Sequence, residues 1–223
     1  ITGLGETFYG ARTVEAHIHE TLAPLMIGED PRRIEYLAAR AEGYLGWRSS
    51  GAETRGNSAF DIALWDILGK ATGQPIAQLL GGFTRPAIRT YNTCAGTEYV
   101  KKTTGQVTAN YGIGDSPQYD DLNGFLHRAD ELALSLLEDG ITAMKIWPFD
   151  EAAMRSGGQT ITPGDLAEGV DIMRRARSAA GDNFDIMLEL HSLWSVPAAT
   201  IIAHAVEEFS PFWIEDPFKN EAT

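Results

Sequence analysis

The later part of the sequence alternates between short apolar runs and longer stretches with helical spacing, and this order limits the fold more than any other feature. Strands are predicted at 87–93, 142–147, 184–190 and 211–215, with helices at 122–139, at 162–180 and from Ser195 onward. Strands and helices in alternation are typical of a parallel sheet covered by helices. The predicted fold class is therefore α/β.

Two α/β architectures fit this order. Four strands suit one half of an eight-stranded (β/α) TIM-type barrel, whose other half would follow Thr223. The alternative is an open, doubly wound sheet, which normally carries a glycine-rich phosphate turn after its first strand. The nearest match, Gly112-Ile113-Gly114, lies deep in a predicted loop and lacks the third glycine. The barrel is preferred for this reason.

The first part of the chain has a different pattern. A strand is predicted in the opening ITGLGETFYG, and helices are predicted at 12–25, at 31–45 and from Ser58 to Thr72, with Ser58 as the N-cap. Because the pattern changes just after Gly82, we divide the chain into domains at 1–84 and 85–223. The chain begins at Ile1 and ends just after a predicted strand, so we expect it to be part of a longer protein.

The charge balance argues against several classes of partner. The chain has 18 Lys and Arg against 31 Asp and Glu, and its formal net charge of −13 would repel nucleic acid and anionic membranes. No secretory signal or membrane-spanning run is visible, and the single cysteine, Cys94, cannot form an internal disulfide. We expect a cytoplasmic protein with neither nucleic acid nor membrane as a partner.

Polar side chains occur at the carboxyl ends of three predicted strands, where barrels of this type carry their chemistry. Lys145 and Trp147 share one face of their strand, Glu189 and His191 share a face of the next, and Glu215 ends the last. Two buried carboxylates on neighbouring strands favour a hard divalent cation such as Mg²⁺. The alternative is a structural ion pair with Lys145, and the spacing does not decide between them.

The other two residues also allow two interpretations. His191 fits a buried core histidine, but its position near a metal ligand would also let it transfer a proton. Trp147 is interpreted as packing on residue type alone.

Several segments carry a family resemblance. NSAFDIALWDILGKATGQPIAQLLGG at 57–82 resembles the segment joining the capping domain to the barrel in the enolase superfamily, in its mandelate racemase and muconate lactonizing enzyme-like branch. GITAMKIW at 140–147, DIMLELH at 185–191 and FWIEDP at 212–217 are similar to that branch's second, third and fourth barrel strands. The 26 positions between Glu189 and Glu215 match a separation common between its first two metal ligands.

The resemblance implies an α+β capping domain over 1–84 and the first half of a modified barrel over 85–223. It implies a Mg²⁺ cofactor that stabilises the enediolate formed when a proton leaves the carbon beside a carboxylate. Glu189 and Glu215 match two metal ligands, and the third would lie beyond Thr223. Lys145 matches the first lysine of a Lys-x-Lys motif that binds the substrate carboxylate or supports proton transfer.

Two departures from the branch pattern separate activities within it. Trp147 occupies the place of the second lysine, which weakens two-base racemisation and places Trp147 in the predicted substrate-binding set. His191 resembles the acid of sugar-acid dehydratases, whose base would be a histidine paired with an aspartate on later strands.

The predicted function is a Mg²⁺-dependent lyase that removes water from a sugar acid, in a homo-oligomer with a small carboxylate substrate. The alternatives are a racemase, epimerase or cycloisomerase, and a non-catalytic metal-binding homologue.

Overall fold

The computed structural model describes residues 1–7, 10–43, 51–97 and 120–219. The chain divides into two compact units, Ile1–Ile88 and Arg89–Thr223. No helix in the described part of the chain is long and apolar enough to cross a membrane.

The described part of the first unit is helical. Helices α1 and α2 are joined by a π-helical turn, and the bounds are α1 Ala11–His17, the turn Ile18–Leu22, α2 Ala23–Met26, α3 Ile34–Glu42, α4 Ala52–Thr72 and α5 Ile76–Leu79. Their apolar faces form a small core of Leu22, Met26, Ile34, Leu37, Ala41 and Leu64. Leu22, Ile34, Leu37 and Ala41 of this core are among the apolar positions at helical spacing, since apolar residues three and four positions apart share one face of a helix.

The predicted opening strand is wrong over the described residues 1–7, which have no regular secondary structure. This segment lies against α4 instead: the Leu4 N–H donates to Asp66 Oδ2 at 2.7 Å. A Cβ added at Gly3 would lie 2.1 Å from the carbonyl oxygen of Ala63. The glycines in this alternating segment therefore allow it to pack closely against α4, since a side chain at these positions would keep the two backbones apart. They do not indicate strand pairing.

Helix α4 begins six residues before the predicted N-cap, so Ser58 lies inside it. The Ser58 hydroxyl donates to the Thr54 carbonyl oxygen at 2.8 Å, one turn earlier. Serine can bond to a backbone carbonyl within a helix as well as cap one, and the sequence alone does not separate the two roles.

The second unit contains a three-stranded parallel sheet in the order β1-β2-β3, with β1 Ala143–Ile146, β2 Asp185–Glu189 and β3 Ile214–Glu215. The register sets Lys145 beside Met187 and Glu189 beside Glu215. The segment predicted as a strand at 87–93 forms no regular strand; Asn92 pairs with β1 through an isolated parallel bridge to Met144.

Helices follow the strands as predicted, with bounds α6 Asp121–Glu138, α7 Asp150–Ser156, α8 Pro163–Ala180 and α9 Val196–Val206, then a 3-10 turn at Glu207–Phe209. Asp120 caps α6 by accepting from the Asn123 N–H at 2.8 Å, and Thr162 caps α8 by accepting from the Asp165 N–H at 3.2 Å. The short α7, a helix that was not predicted, lies in the long connection between β1 and α8. The predicted loop that contains Gly112-Ile113-Gly114 lies outside the described residues.

The core of this unit lies between the sheet and its helices, and Phe149, fully buried, is one of its large side chains. Its ring packs on the backbone of α8, where a Cβ added at Gly169 would lie 2.1 Å from Phe149 Cε1. The residue at 169 must therefore be glycine for α7 and α8 to approach at this distance.

We expect Gly169→Ala to lower the free energy of unfolding by about 1–3 kcal/mol, because the new methyl group overpacks a filled core. Gly164→Ala on the same helix is the matched control, since its nearest heavy atom would be Thr162 Oγ1 at 3.8 Å. Alanine there should be neutral or stabilising by up to about 1 kcal/mol. Denaturant unfolding of the intact protein measures both, and equal effects of the two substitutions would contradict the close contact.

Candidate functional site

Three charged side chains meet at the carboxyl edge of the sheet. Lys145 Nζ donates to Glu189 Oε2 at 2.9 Å and to Glu215 Oε1 at 2.8 Å. Lys145 is 8% exposed and Glu189 is 4% exposed, although both carry formal charge. The structure thus brings together the lysine and the two glutamates that the strand pattern predicted, with the lysine bridging the two acids.

The remaining oxygen of each carboxylate also has a donor. Glu189 Oε1 accepts from the backbone N–H of His191 at 3.0 Å, and Glu215 Oε2 accepts from Trp213 Nε1 at 3.0 Å. The Trp213 ring in turn packs edge-on against Tyr91, with ring centroids 5.5 Å apart. Trp213 and Tyr91 were not among the residues predicted for the site, although Trp213 is two residues before a predicted ligand and on the same face of the predicted strand.

The electrostatics of the cluster follow from burial and from its excess of negative charge. Burial on its own lowers the pKa of Lys145, but hydrogen bonds to Glu215 and Glu189 outweigh it and raise that pKa above its ordinary value. Burial raises the pKa of Glu189, and the neighbouring Glu215 adds to this against the opposing effect of Lys145. Burial also raises the pKa of Glu215, but the opposing effects, of which the hydrogen bond from Lys145 is the largest, outweigh burial and lower that pKa.

Two carboxylates on one ammonium leave one negative charge, and hard oxygen donors are what Mg²⁺ prefers. The donor chemistry of Glu189 and Glu215 therefore fits a divalent cation. Within the described ranges no three His, Cys, Asp or Glu side chains gather as a metal site. The sequence left open whether these acids form an ion pair or a metal site. The structure shows the ion pair, and the predicted metal site would use the same two carboxylates.

His191 lies in a turn just after β2. Its φ is +49° and that of Ser192 is +52°, so two consecutive residues adopt the left-handed conformation that non-glycine residues seldom take. The predicted alternation of faces does not extend to His191, because β2 ends at Glu189. The turn places the imidazole instead, and left-handed residues of this kind cluster at functional sites.

The His191 ring is paired with Asp150, which was not among the residues predicted for the site. His191 Nδ1 and Asp150 Oδ2 are 2.8 Å apart. Burial lowers the pKa of His191, but the hydrogen bond and charge of Asp150 outweigh it and raise that pKa. Burial raises the pKa of Asp150. The sequence feature that could have identified Asp150 is its position directly after the apolar run IWPF, five residues after Lys145.

Trp147 is 2% exposed and directly follows β1. Its ring packs edge-on against His191, with centroids 5.7 Å apart, and against Phe125 at 5.2 Å. These are packing contacts that support the imidazole. The substrate contact predicted for Trp147 stays a prediction.

Backbone hydrogen bonds join the three connections that follow the strands. The Ser192 N–H donates to Asp216 O at 2.8 Å, and the Ser195 N–H donates to Gly158 O at 2.8 Å. Lys219 donates from its backbone to Trp194 O at 2.9 Å and from Nζ to Gly157 O at 2.8 Å. The turn that carries His191 is therefore tied to the connection on each side.

Two family models match the chain. Residues 1–81 match the mandelate racemase / muconate lactonizing enzyme N-terminal domain, and residues 128–223 match the enolase C-terminal domain-like model.

Solved structures agree with these matches. An enolase of the mandelate racemase subgroup from Agrobacterium tumefaciens is 54% identical with a TM-score of 0.80, over 98% of this chain and 51% of that chain. An enolase protein from Sargasso Sea environmental sequence is 38% identical with a TM-score of 0.81, with the same coverage of 98% and 51%.

Curated relatives carry dehydratase names. D-galactonate dehydratase of Ralstonia nicotianae is 32% identical over 93% of this chain and 46% of the relative. D-gluconate/D-galactonate dehydratase of Picrophilus torridus is 34% identical over 74% of this chain and 34% of the relative. The chain thus spans between about a third and a half of the length of these two relatives. The matches to both domain models, the shared fold and the order of the strand-end residues together show that the chain belongs to the mandelate racemase and muconate lactonizing enzyme branch of the enolase superfamily.

Proposed function

We propose that the intact protein is a Mg²⁺-dependent sugar-acid dehydratase, a lyase that removes the proton beside a carboxylate and eliminates water. The observation that carries this proposal is the placing of His191 directly beside the Lys145–Glu189–Glu215 cluster, with Asp150 bonded to its ring. The names of the relatives support the same reaction and the sugar-acid class of substrate.

Each residue has a separate task in this reaction. Glu189 and Glu215 would hold the cation, which when bound supplies positive charge near the substrate carboxylate. Lys145 adds a second positive charge that orients the two glutamates and attracts the substrate carboxylate. The charge of Lys145 favours loss of the neighbouring proton to a base elsewhere in the site, because negative charge then develops on the carboxylate, and a bound cation would act in the same direction.

His191 completes the elimination. The electron pair left by the departing proton forms a carbon–carbon double bond and expels the hydroxyl group on the next carbon. Since hydroxide is a poor leaving group, His191 donates a proton to it as the bond breaks, and water departs. The enol that remains takes up a proton on carbon, so the product is a 2-keto-3-deoxy acid and the atoms balance as substrate minus one water.

We expect the intact protein with Mg²⁺ to convert at least one aldonic acid into its 2-keto-3-deoxy acid. A panel beginning with D-galactonate and D-gluconate, followed by mass spectrometry for the loss of water, tests this. Epimerisation of a panel member with its mass unchanged would support the isomerase alternative instead. Metal binding without any turnover across the panel would support the non-catalytic homologue.

We expect Glu215→Gln and Glu189→Gln each to weaken Mg²⁺ binding by more than about tenfold, because loss of even an indirect partner of a metal costs about 10- to 100-fold. Titration calorimetry on the intact protein measures this. Glu151→Gln is the control, because this glutamate is exposed on α7 and pairs with Arg155. Undiminished binding by the double variant would show that the two carboxylates do not hold the ion.

We expect His191→Asn to slow dehydration by about 10²–10⁴-fold, the usual contribution of general acid catalysis. Exchange of the α-proton with heavy water should fall much less, because the cation and the base remain. His204→Asn is the control, since that side chain is 77% exposed on α9. An equal loss of exchange and dehydration would instead assign His191 to proton abstraction or to structural support.

A further inference from the structure

Asp150 is buried and hydrogen-bonded to His191, but the reaction proposed above gives it no role. It is 4% exposed at the first position of α7, next to the fully buried Phe149. A buried carboxylate is costly unless it is hydrogen-bonded or paired with a charge. The connection between β1 and α8 therefore carries a residue that lowers stability unless another group compensates for it.

The compensating group is His191. Asp150 Oδ2 lies 2.8 Å from His191 Nδ1, while Oδ1 is buried with no hydrogen-bond donor found for it within the described ranges. A carboxylate that only supported the fold of α7 would accept from nearby backbone N–H groups, as acids at helix starts commonly do. The side chain of Asp150 is instead directed at one nitrogen of one imidazole.

The two side chains also differ in access to solvent. The His191 side chain is 23% exposed and that of Asp150 is 5% exposed, so the histidine is the member of the pair that a small molecule can reach. The acid lies behind it in the core. In such a pair the neutral imidazole keeps its proton on Nδ1, and the second proton, which a general acid donates, is gained and lost at Nε2.

Contacts around the Asp150–His191 pair hold the two side chains in place. The connection that carries Asp150 passes through Gly158, where an added Cβ would lie 1.8 Å from the Leu193 carbonyl oxygen. The Gly158 carbonyl oxygen accepts from the Ser195 N–H, so the connection is bonded to the turn that carries His191. Trp147 packs edge-on against the same imidazole. The ring is therefore held by a hydrogen bond and by an aromatic contact.

We propose that Asp150 is a positioning residue for His191: it accepts the Nδ1–H of the ring in its neutral and its protonated form, fixes its orientation, and thereby directs the Nε2–H of the protonated ring toward the departing hydroxyl group. The proposal deepens the assignment of His191 as the acid and rests on it for its catalytic consequence. Its structural part, the hydrogen bond and the tautomer, does not depend on which reaction the protein catalyses.

The tautomer can be measured without any substrate. In the intact protein carrying isotope-labelled histidine, with His191→Asn used to assign the signal, nuclear magnetic resonance at a pH where His191 is neutral should find its one ring proton on Nδ1. In Asp150→Ala the proton should move to Nε2 or exchange between the nitrogens. Asp150→Asn should retain much of the wild-type pattern, because its carbonyl oxygen can still accept from Nδ1–H. A wild-type signal with the proton only on Nε2 overturns the proposal, even if neither variant folds.

The catalytic part is tested by kinetics. Asp150→Ala should lower kcat for dehydration by about 10- to 100-fold, less than loss of the acid itself, with a smaller change in KM and in α-proton exchange. In a His191→Asn background the same substitution should have no further effect on dehydration, because the two residues act as one unit. Glu151→Gln, one residue later on α7, is the control and should leave kcat unchanged.

The outcomes separate the two proposals. An Nδ1 proton that depends on Asp150, in a protein that dehydrates no sugar acid, supports the pair and contradicts the proposed function. Additive losses in the double variant, or an unchanged tautomer in Asp150→Ala, contradict the role of Asp150 and leave the proposed function standing.

Discussion

The bridge from Lys145 to Glu189 and Glu215 is the interaction on which the rest of the second unit depends. An ammonium and a carboxylate that are each less than a tenth exposed are stable only as partners, and removing one member of such a group typically costs about 3–5 kcal/mol. The bridge also requires one register of three parallel strands, since a slip of one residue would turn Lys145 or a glutamate to the opposite face. Correct pairing of the sheet and assembly of the site are therefore the same event.

The sheet and its charged cluster could be predicted from the sequence, because the local pattern agrees with the tertiary structure in this part of the chain. The order of strands and helices, the parallel pairing, and the meeting of Lys145 with the two glutamates follow from periodicity and from the rule that parallel strands end at one edge. The chemical meaning of the cluster was less readable. The same spacing serves an ion pair or a metal site, and the family resemblance, more than the spacing, favoured the metal.

Other features depended on contacts that no local pattern encodes. The opening segment alternates like a strand, but its glycines fit the backbone of α4. His191 was predicted beside Glu189 by alternation, yet a left-handed turn places it. Asp150 belongs to a short helix that was not predicted, and its importance depends on an imidazole 41 positions later. Each involves a close approach between segments distant in sequence, and backbone conformation there is set by the partner.

The ties between the connections bear on how a fold of this kind can acquire new specificity. The stretch from 148 to 162 carries Asp150, contacts the turn at 191–195 through Gly158, and accepts from Lys219 through Gly157. A connection of different length, transplanted from a relative, would break these bonds and also withdraw the carboxylate from His191. This connection can therefore be exchanged, in evolution or by design, only together with the turn that it contacts. The two segments must change together even though a strand and a long helix separate them in the chain.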